Sequence, residues 1–339
     1  MNESLTEKIK EYLLASQGRV INLKDLRTHL WIEPGSRDDG NLRTQMTTTM
    51  VKAKLVKPSG LNDGFYKVLA PIEPVKWWED VDTEPIEGFR FPRNYNEDLQ
   101  SFGIEHCVEI FPGDMILISG RSNYGKTAMA LSLMGENLPL MYAVLMGSEY
   151  TASDGKISPK FKRRMKRMDW VNWITDDGKP RFDLLPVGAD YEDYVEPDCL
   201  NVIDWISLNG EYYLIDRVMK SIKDRVGHGV AVVVIQKNKD AEFGEGGERT
   251  ERYADVHLRI DAFGDNESLL TIGKVKSPKG RATGRMWAFE VTDYGANFLN
   301  IREVVKCRSC WGKGWKKIGQ NATIPCPECH KKGLVDKDV

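Results

Sequence analysis

The run Gly120-Arg121-Ser122-Asn123-Tyr124-Gly125-Lys126-Thr127 constrains this chain more than any other feature, because of what flanks it. Met115-Ile116-Leu117-Ile118 before it is apolar and strand-length, and Ala128-Met129-Ala130-Leu131 after it starts a helix. Strand, GxxxxGKT turn and helix together are the context of a phosphate-binding loop. Glycines let backbone amides curl around a phosphate, and the helix start adds the positive end of its dipole. In such a loop the lysine neutralises β- and γ-phosphate charge and the threonine offers its hydroxyl to Mg²⁺. All eight residues from Gly120 to Thr127 are therefore candidate ATP ligands, with Lys126 facing phosphate and Thr127 the metal.

Downstream, strand-like and helix-like stretches alternate from about 94 to 303, the pattern of a parallel sheet with helical crossovers. Residues 142–146 read as a second strand, ending in Gly147-Ser148-Glu149. Residues 200–204 read as a third with Asp204 at its end, and 229–235 as a fourth ending in Gln236. Ligands bind beyond the carboxyl ends of such strands, so Glu149, Asp204 and Gln236 are expected to converge near the γ-phosphate.

Four segments in this order, GDMILISGRSNYGKTAMAL, GSEYT, LNVIDWI and VVVIQKNKD, resemble the successive motifs of the RecA/DnaB superfamily of P-loop ATPases. The resemblance covers roughly 111–300 and is nearer the DnaB-like hexameric helicases and their short plasmid and phage relatives; ERYADVHLRI and KVKSPKGRATG resemble their late motifs. It implies a RecA-like core with a mainly parallel sheet, binding ATP and Mg²⁺. Asp204 would hold Mg²⁺ through water, Glu149 would polarise the attacking water, and Gln236 would sense the γ-phosphate. It also implies single-stranded DNA as partner and self-association as a ring (a hexamer) or a filament. The implied activity is a DnaB-like helicase or translocase; a recombinase-like ATPase and a non-motor, ATP-gated regulator are the alternatives. Where the family has Lys-x-Arg, this chain has Lys274-Val275-Lys276, and a lysine lacks the planar fork of arginine. The candidates for acting on a neighbour's ATP are then Lys274, Lys276, Arg281 and Arg285, with reduced action in trans as the alternative.

The DNA-facing loops implied are about 207–213, with Tyr212 and Tyr213, and 237–251. The second holds five acids, Asp240, Glu242, Glu245, Glu248 and Glu251, against Lys237, Lys239 and Arg249. DNA contact would therefore lean on Lys237, Lys239 and the basic stretch 158–168. That stretch belongs to a cluster of Lys156, Lys160, Lys162, Arg163, Arg164, Lys166 and Arg167, so the net charge of −2 conceals segregated charge. Such a cluster is a phosphate-binding surface or a solvated face.

Residues 1–70 read as a small winged-helix-like domain. Ser4 and Glu7 form a capping box, helices follow at 24–30 and 41–53, and 55–57 with 65–69 form a strand pair. Leu42, Met46 and Met50 share one face of the third helix, while the opposite face is short, polar and basic. Such a helix suits a DNA groove; a protein-contact module or plain helical cap fits the same pattern. Residues 71–93, rich in proline and carrying Trp77 and Trp78, read as a packed linker.

Of six cysteines, four lie in the last 33 residues as Cys307-x-x-Cys310 and Cys326-x-x-Cys329, fifteen residues apart. This is the spacing of one tetrahedral Zn²⁺ held by two knuckles, and it makes 304–339 a zinc ribbon. Gly312 and Gly314 allow the tight approach; His330 is a less fitting ligand, being adjacent to Cys329. The longest apolar runs are strand-length, which excludes a membrane span, and no secretory pattern opens the chain. The expected address is the cytoplasm.

Overall fold

Ser4 opens the first helix by a reciprocal cap: its Oγ accepts from the Glu7 amide, and the Glu7 carboxylate accepts from the Ser4 amide. The structure, a computed structural model, describes residues 4–60, 63–70, 84–96, 99–206, 214–238, 241, 243–318 and 322–337. The chain divides into two units, Met1–Asp82 and Thr83–Val339.

In the first unit the order is α1 (Leu5–Ala15), β1 (Val20–Asn22), α2 (Leu23–His29), α3 (Arg37–Thr44), β2 (Val56–Pro58) and β3 (Phe65–Val68). The helix of α3 continues as a π-helical segment over Gln45–Met50, starting four residues before the expected 41 because Ser36 caps it through the Asp39 amide. Its expected inner face, Leu42, Met46 and Met50, is wholly buried. Asn22 caps α2 and is the last residue of β1, a strand too short to leave a periodicity. The sheet order is β1-β3-β2. Trp77 and Trp78 of the expected linker lie outside the described residues.

The second unit is built on one ten-stranded sheet. Its elements are β4 (Met115–Gly120), α4 (Lys126–Asn137), β5 (Ala143–Met146), α5 (Pro159–Arg167), β6 (Phe182–Leu185), β7 (Leu200–Ile203), α6 (Ile215–Arg225) and β8 (Val230–Gln236). Then come β9 (Val256–Phe263), β10 (Glu267–Val275), β11 (Met286–Thr292), β12 (Asn297–Lys306), β13 (Trp315–Ile318), β14 (Ala322–Pro325) and β15 (Leu334–Asp336). The strand order is β15-β12-β11-β10-β9-β4-β8-β7-β5-β6, parallel from β9 to β6.

The inner strands β4, β5, β7 and β8 are largely apolar and buried because both faces of the sheet are covered there. On β4, Ile116 and Ile118 enter one core with Met129, Leu131 and Met134 of α4, whereas Met115 and Leu117 enter the other with Val218, Met219 and Ile222 of α6. The loop-bearing strand β4 sits between β8 and β9, the last two parallel strands in the chain, so both connections leave a crevice at its carboxyl end. The core is thus a parallel α/β sheet with the GxxxxGKT turn at the carboxyl end of its central strand.

The expected alternation of strand and helix fails after β9. Strands β9 to β12 are antiparallel neighbours. Only three residues join β9 to β10, too few for a crossover helix, and β10 buries every second residue, the mark of a one-sided strand. Strand β12 runs through the expected boundary at 303/304, and β15 pairs with it at Val304–Lys306, so the cysteine segment is joined to the sheet. Among the described residues, no helix is long and apolar enough to cross a membrane.

Candidate functional site

Strands β5, β7 and β8 end side by side. Gly120 pairs in register with Gln236, and the Asp204 amide donates to the Met146 carbonyl at 2.9 Å. Glycines permit the crowding. A Cβ at Gly147 would lie 2.3 Å from the Asp204 carbonyl oxygen, so the chain bearing Glu149 can pass this close only without a side chain. Gly125 caps α4 at φ 98°, in the left-handed region that glycine alone adopts freely.

Around this crevice Lys126, Thr127, Asp204 and Glu149 lie close enough to act on one another. Lys126 Nζ donates to the Arg121 carbonyl at 2.8 Å, and the carboxylates of Asp204, Glu245 and Glu149 all act on its charge. Burial depresses the Lys126 ammonium from its ordinary value against the pull of those acids. Asp204 is buried, and burial raises its carboxyl; the hydrogen bond from Tyr150, the nearby Thr127 hydroxyl and the Lys126 charge oppose the rise. Its Oδ2 accepts from the Tyr150 hydroxyl, whereas its Oδ1 is buried with no protein partner among the described residues. A buried acceptor left unpaired carries a desolvation cost, and an oxygen so placed beside a threonine hydroxyl suits a hydrated hard cation. Glu149 is exposed at the rim, where Trp205 Nε1 donates to its Oε1 at 3.4 Å. A cleft of about 420 Å³ continues from Arg121 along Lys237, Arg259 and Asp261.

The segment after β8 folds back on the site. The Glu245 amide donates to the Gln236 carbonyl at 2.8 Å, and the Lys237 amide to the Gly120 carbonyl at 2.9 Å. Lys237, expected to face DNA, is instead buried with Nζ 2.6 Å from Asp261, so its charge is neutralised within the chain. Tyr212, Tyr213, Lys239, Asp240 and Glu242 lie outside the described residues.

Glu245 was read only as an acid of the segment 237–251, and the parts played by Tyr150 and Trp205 escaped the sequence reading although each adjoins a predicted position. So did a buried relay. Ser119 Oγ lies 2.7 Å from His257 Nε2, and His257 Nδ1 lies 2.6 Å from Glu251 Oε2. It ties the strand before the phosphate loop to the end of the segment after β8. Nothing in the spacing of Ser119, Glu251 and His257 signals it; the parallel pairing of β4 with β9 brings them together.

The four cations proposed to act in trans are not equivalent. Lys276 is held 2.8 Å from Asp255, Lys274 donates to the Glu251 and Arg252 carbonyls, and Arg285 makes a two-point pair with Glu303. Arg281 is exposed and has no ion pair among the described residues. On α5, Phe161 packs at 4.5 Å between ring centroids on Tyr150, while Arg164 donates to the Tyr294 carbonyl. Arg163 and Arg167 lie over the Tyr294 ring; Lys160, Lys162 and Lys166 stay exposed.

The cysteines form the second candidate site. All four are buried, with sulfurs within 4.8 Å of one another. The Gly314 and Gly333 amides donate to Cys310 and Cys329 Sγ at 3.2 and 3.3 Å, the kind of contact that stabilises thiolates. A Cβ on Gly314 would stand 2.3 Å from the Lys331 carbonyl oxygen, and one on Gly333 2.4 Å from that of Gly312, so each knuckle needs its glycine. This set can hold one tetrahedral metal ion, which for four thiolates points to zinc. His330 is exposed and outside it.

No protein-family model matches the chain, and no curated protein matches it. Among solved structures it is similar to a KaiC-like protein from the hyperthermophilic archaeon Pyrococcus horikoshii, at 16% identity over 64% of this chain and 98% of that one, with a TM-score of 0.46. It is also similar to the RadB recombinase (17% identity, 56% of this chain and 92% of that one, TM-score 0.39). A third likeness is to the ATPase domain of G40P (13% identity, 56% and 86%, TM-score 0.42).

Proposed function

We propose that this chain hydrolyses ATP with Mg²⁺ and couples the reaction to DNA, as a DnaB-like helicase or translocase on single strands. The observation that carries the reading is the convergence of Lys126, Thr127, Asp204 and Glu149 at the carboxyl ends of adjacent parallel strands. Backbone amides from Gly120 to Thr127 bind the phosphates and Lys126 neutralises their charge. Thr127 and the unpaired Oδ1 of Asp204 would hold Mg²⁺ with its waters, and that ion would supply charge stabilisation to the phosphoryl group. Glu149, oriented by Trp205, accepts a proton from the attacking water. Gln236 bonds the γ-phosphate, and its departure shifts the segment that begins at Lys237.

The chain assembles as a ring, such as a hexamer, or as a filament. Arg281 acts on the neighbour's ATP, since Lys274, Lys276 and Arg285 are engaged inside their own chain. DNA phosphates meet the exposed lysines of α5. The first unit, with its order of three helices and sheet β1-β3-β2, is a winged helix that contacts DNA or protein. A non-motor, ATP-gated regulator is the second reading, favoured by the burial of Lys237, which removes a cation from the DNA-facing segment. ATP turnover measured with and without single-stranded DNA at low salt separates the two. Stimulation by DNA is expected, with ATP changing DNA affinity in return. Turnover indifferent to every DNA and RNA tested selects the regulator.

A further inference from the structure

The zinc hairpin exposes aromatic rings that its own fold does not use. Trp311 is 83% exposed and Trp315 44%, while β13 and β14 pair with each other and are largely open to solvent. The small core here is the four cysteines with Val335, so neither indole contributes to it. Register places Trp315 and Lys317 on one face of the ribbon, and the Lys331 ammonium sits 5.1 Å from the centroid of Trp315. A large planar ring kept in water beside a cation is poorly explained as packing.

Charge is as one-sided as the aromatic content. Between 306 and 337, among the described residues, the two acids are both engaged: Glu328 lies 3.6 Å from Cys307 Sγ, and Asp336 pairs with Arg302 at 2.9 Å. Two of the cations, Lys332 and Lys337, pair with Glu267 and Glu303 and bolt the hairpin to the large sheet. The remaining six, Lys306, Arg308, Lys313, Lys316, Lys317 and Lys331, have no carboxylate partner among the described residues. Unpaired cations beside open π-faces are the two elements of a single-strand platform: charge for the backbone and stacking for unpaired bases. Paired bases in a duplex hide their faces and cannot use the rings.

We propose that the zinc hairpin is a second nucleic-acid site of this chain, in which Trp311 and Trp315 stack unpaired bases and the flanking lysines hold the phosphates. It deepens the reading of the chain as a nucleic-acid-coupled ATPase, yet it is a statement about binding and needs no hydrolysis. Stacking does not distinguish sugars, so single-stranded DNA and RNA are both candidates.

The test uses the full zinc-loaded chain without nucleotide. Labelled oligo-dT and oligo-rU of about 16 nucleotides, the upper end of common single-strand sites, are titrated against a blunt DNA duplex. The parent protein binds a single strand in preference to duplex. The double variant Trp311→Ala/Trp315→Ala weakens single-strand binding by about tenfold per ring while keeping its zinc and its DNA-free ATPase rate. Trp311→Phe/Trp315→Phe recovers most of the loss, because phenylalanine also stacks. Parent-like affinity in the alanine variant with zinc retained overturns the proposal, as does equal loss toward duplex, or a phenylalanine variant no better than alanine. A parent protein that binds no single strand overturns it too, and leaves the surface to an acidic protein. Tryptophan-dependent binding with an ATPase indifferent to DNA sustains the platform while refuting the motor.

Discussion

Two residues at the crevice separate binding from chemistry. Lys126→Ala leaves phosphate charge without its counter-charge, and ATP affinity should fall by about 30-fold or more in equilibrium titration. Glu149→Gln keeps the shape but cannot accept a proton, so ATP should still bind while turnover falls by about 10²–10⁴-fold. A Glu149→Gln enzyme at the parent rate would place the base elsewhere. Tyr150 offers a subtler test. Its hydroxyl holds one oxygen of Asp204 and leaves the other free, so it fixes the direction in which that free oxygen points. Tyr150→Phe should raise the Mg²⁺ concentration needed for half-maximal turnover by about 10–100-fold, as removing a hydrogen bond behind a metal ligand does. His257 bears on stability rather than catalysis. Burial depresses its pKa below the ordinary 6.5, with Glu251 opposing. Because the unfolded chain takes up the proton first, this group stabilises the fold above pH 6.5, and that contribution is lost as pH falls from there toward the folded pKa. Denaturant titrations at pH 7.5 and 5.5 should show a loss on acidification that His257→Gln reduces. The low-pH effect of Glu251, whose pKa is lowered chiefly by its bond to His257, begins below its ordinary 4.5 and is separable.

At the scale of elements, legibility followed periodicity and burial. Among the parallel strands, β6 and β9 are interrupted by charged residues and were not read. The inner strands β4, β5, β7 and β8 were readable because each is a largely apolar run leading into a polar or glycine residue, and all four fall where the sequence places them. Strands β10 to β12 were less so. Their half-buried alternation is also what a variable surface produces, and only pairing partners distant in sequence reveal them as an antiparallel extension. At the site, positions carried by a motif were legible. The parts played by Tyr150, Trp205 and Glu245, and the Ser119–His257–Glu251 relay, were not, because each depends on strand neighbours rather than local spacing. The cysteine spacing was legible, but not its attachment to the sheet. Replacing Cys307 and Cys310 with serine should remove the zinc, expected at one ion per chain by metal analysis, and free the hairpin with β15. ATP turnover without DNA should persist, because β11 still holds β12. Metal-free parent protein purified without chelator would refute the site.

For the whole molecule, the phosphate loop and the sheet share a constraint. A Cβ at Gly120 would stand 2.3 Å from the Ile260 carbonyl oxygen of β9, so this glycine keeps β4 and β9 at hydrogen-bonding distance whether or not a phosphate is present. A survey of tolerated substitutions would mark Gly120 as intolerant and invite the label of nucleotide ligand. Much of that intolerance belongs to architecture: Gly120→Ala would wedge the sheet apart at its centre, where the two hydrophobic layers meet. Inactivity in that variant would therefore say nothing about phosphate recognition unless its folding were measured alongside. Lys126→Ala, which alters charge with no such wedge, carries the functional information that the first glycine of the loop cannot.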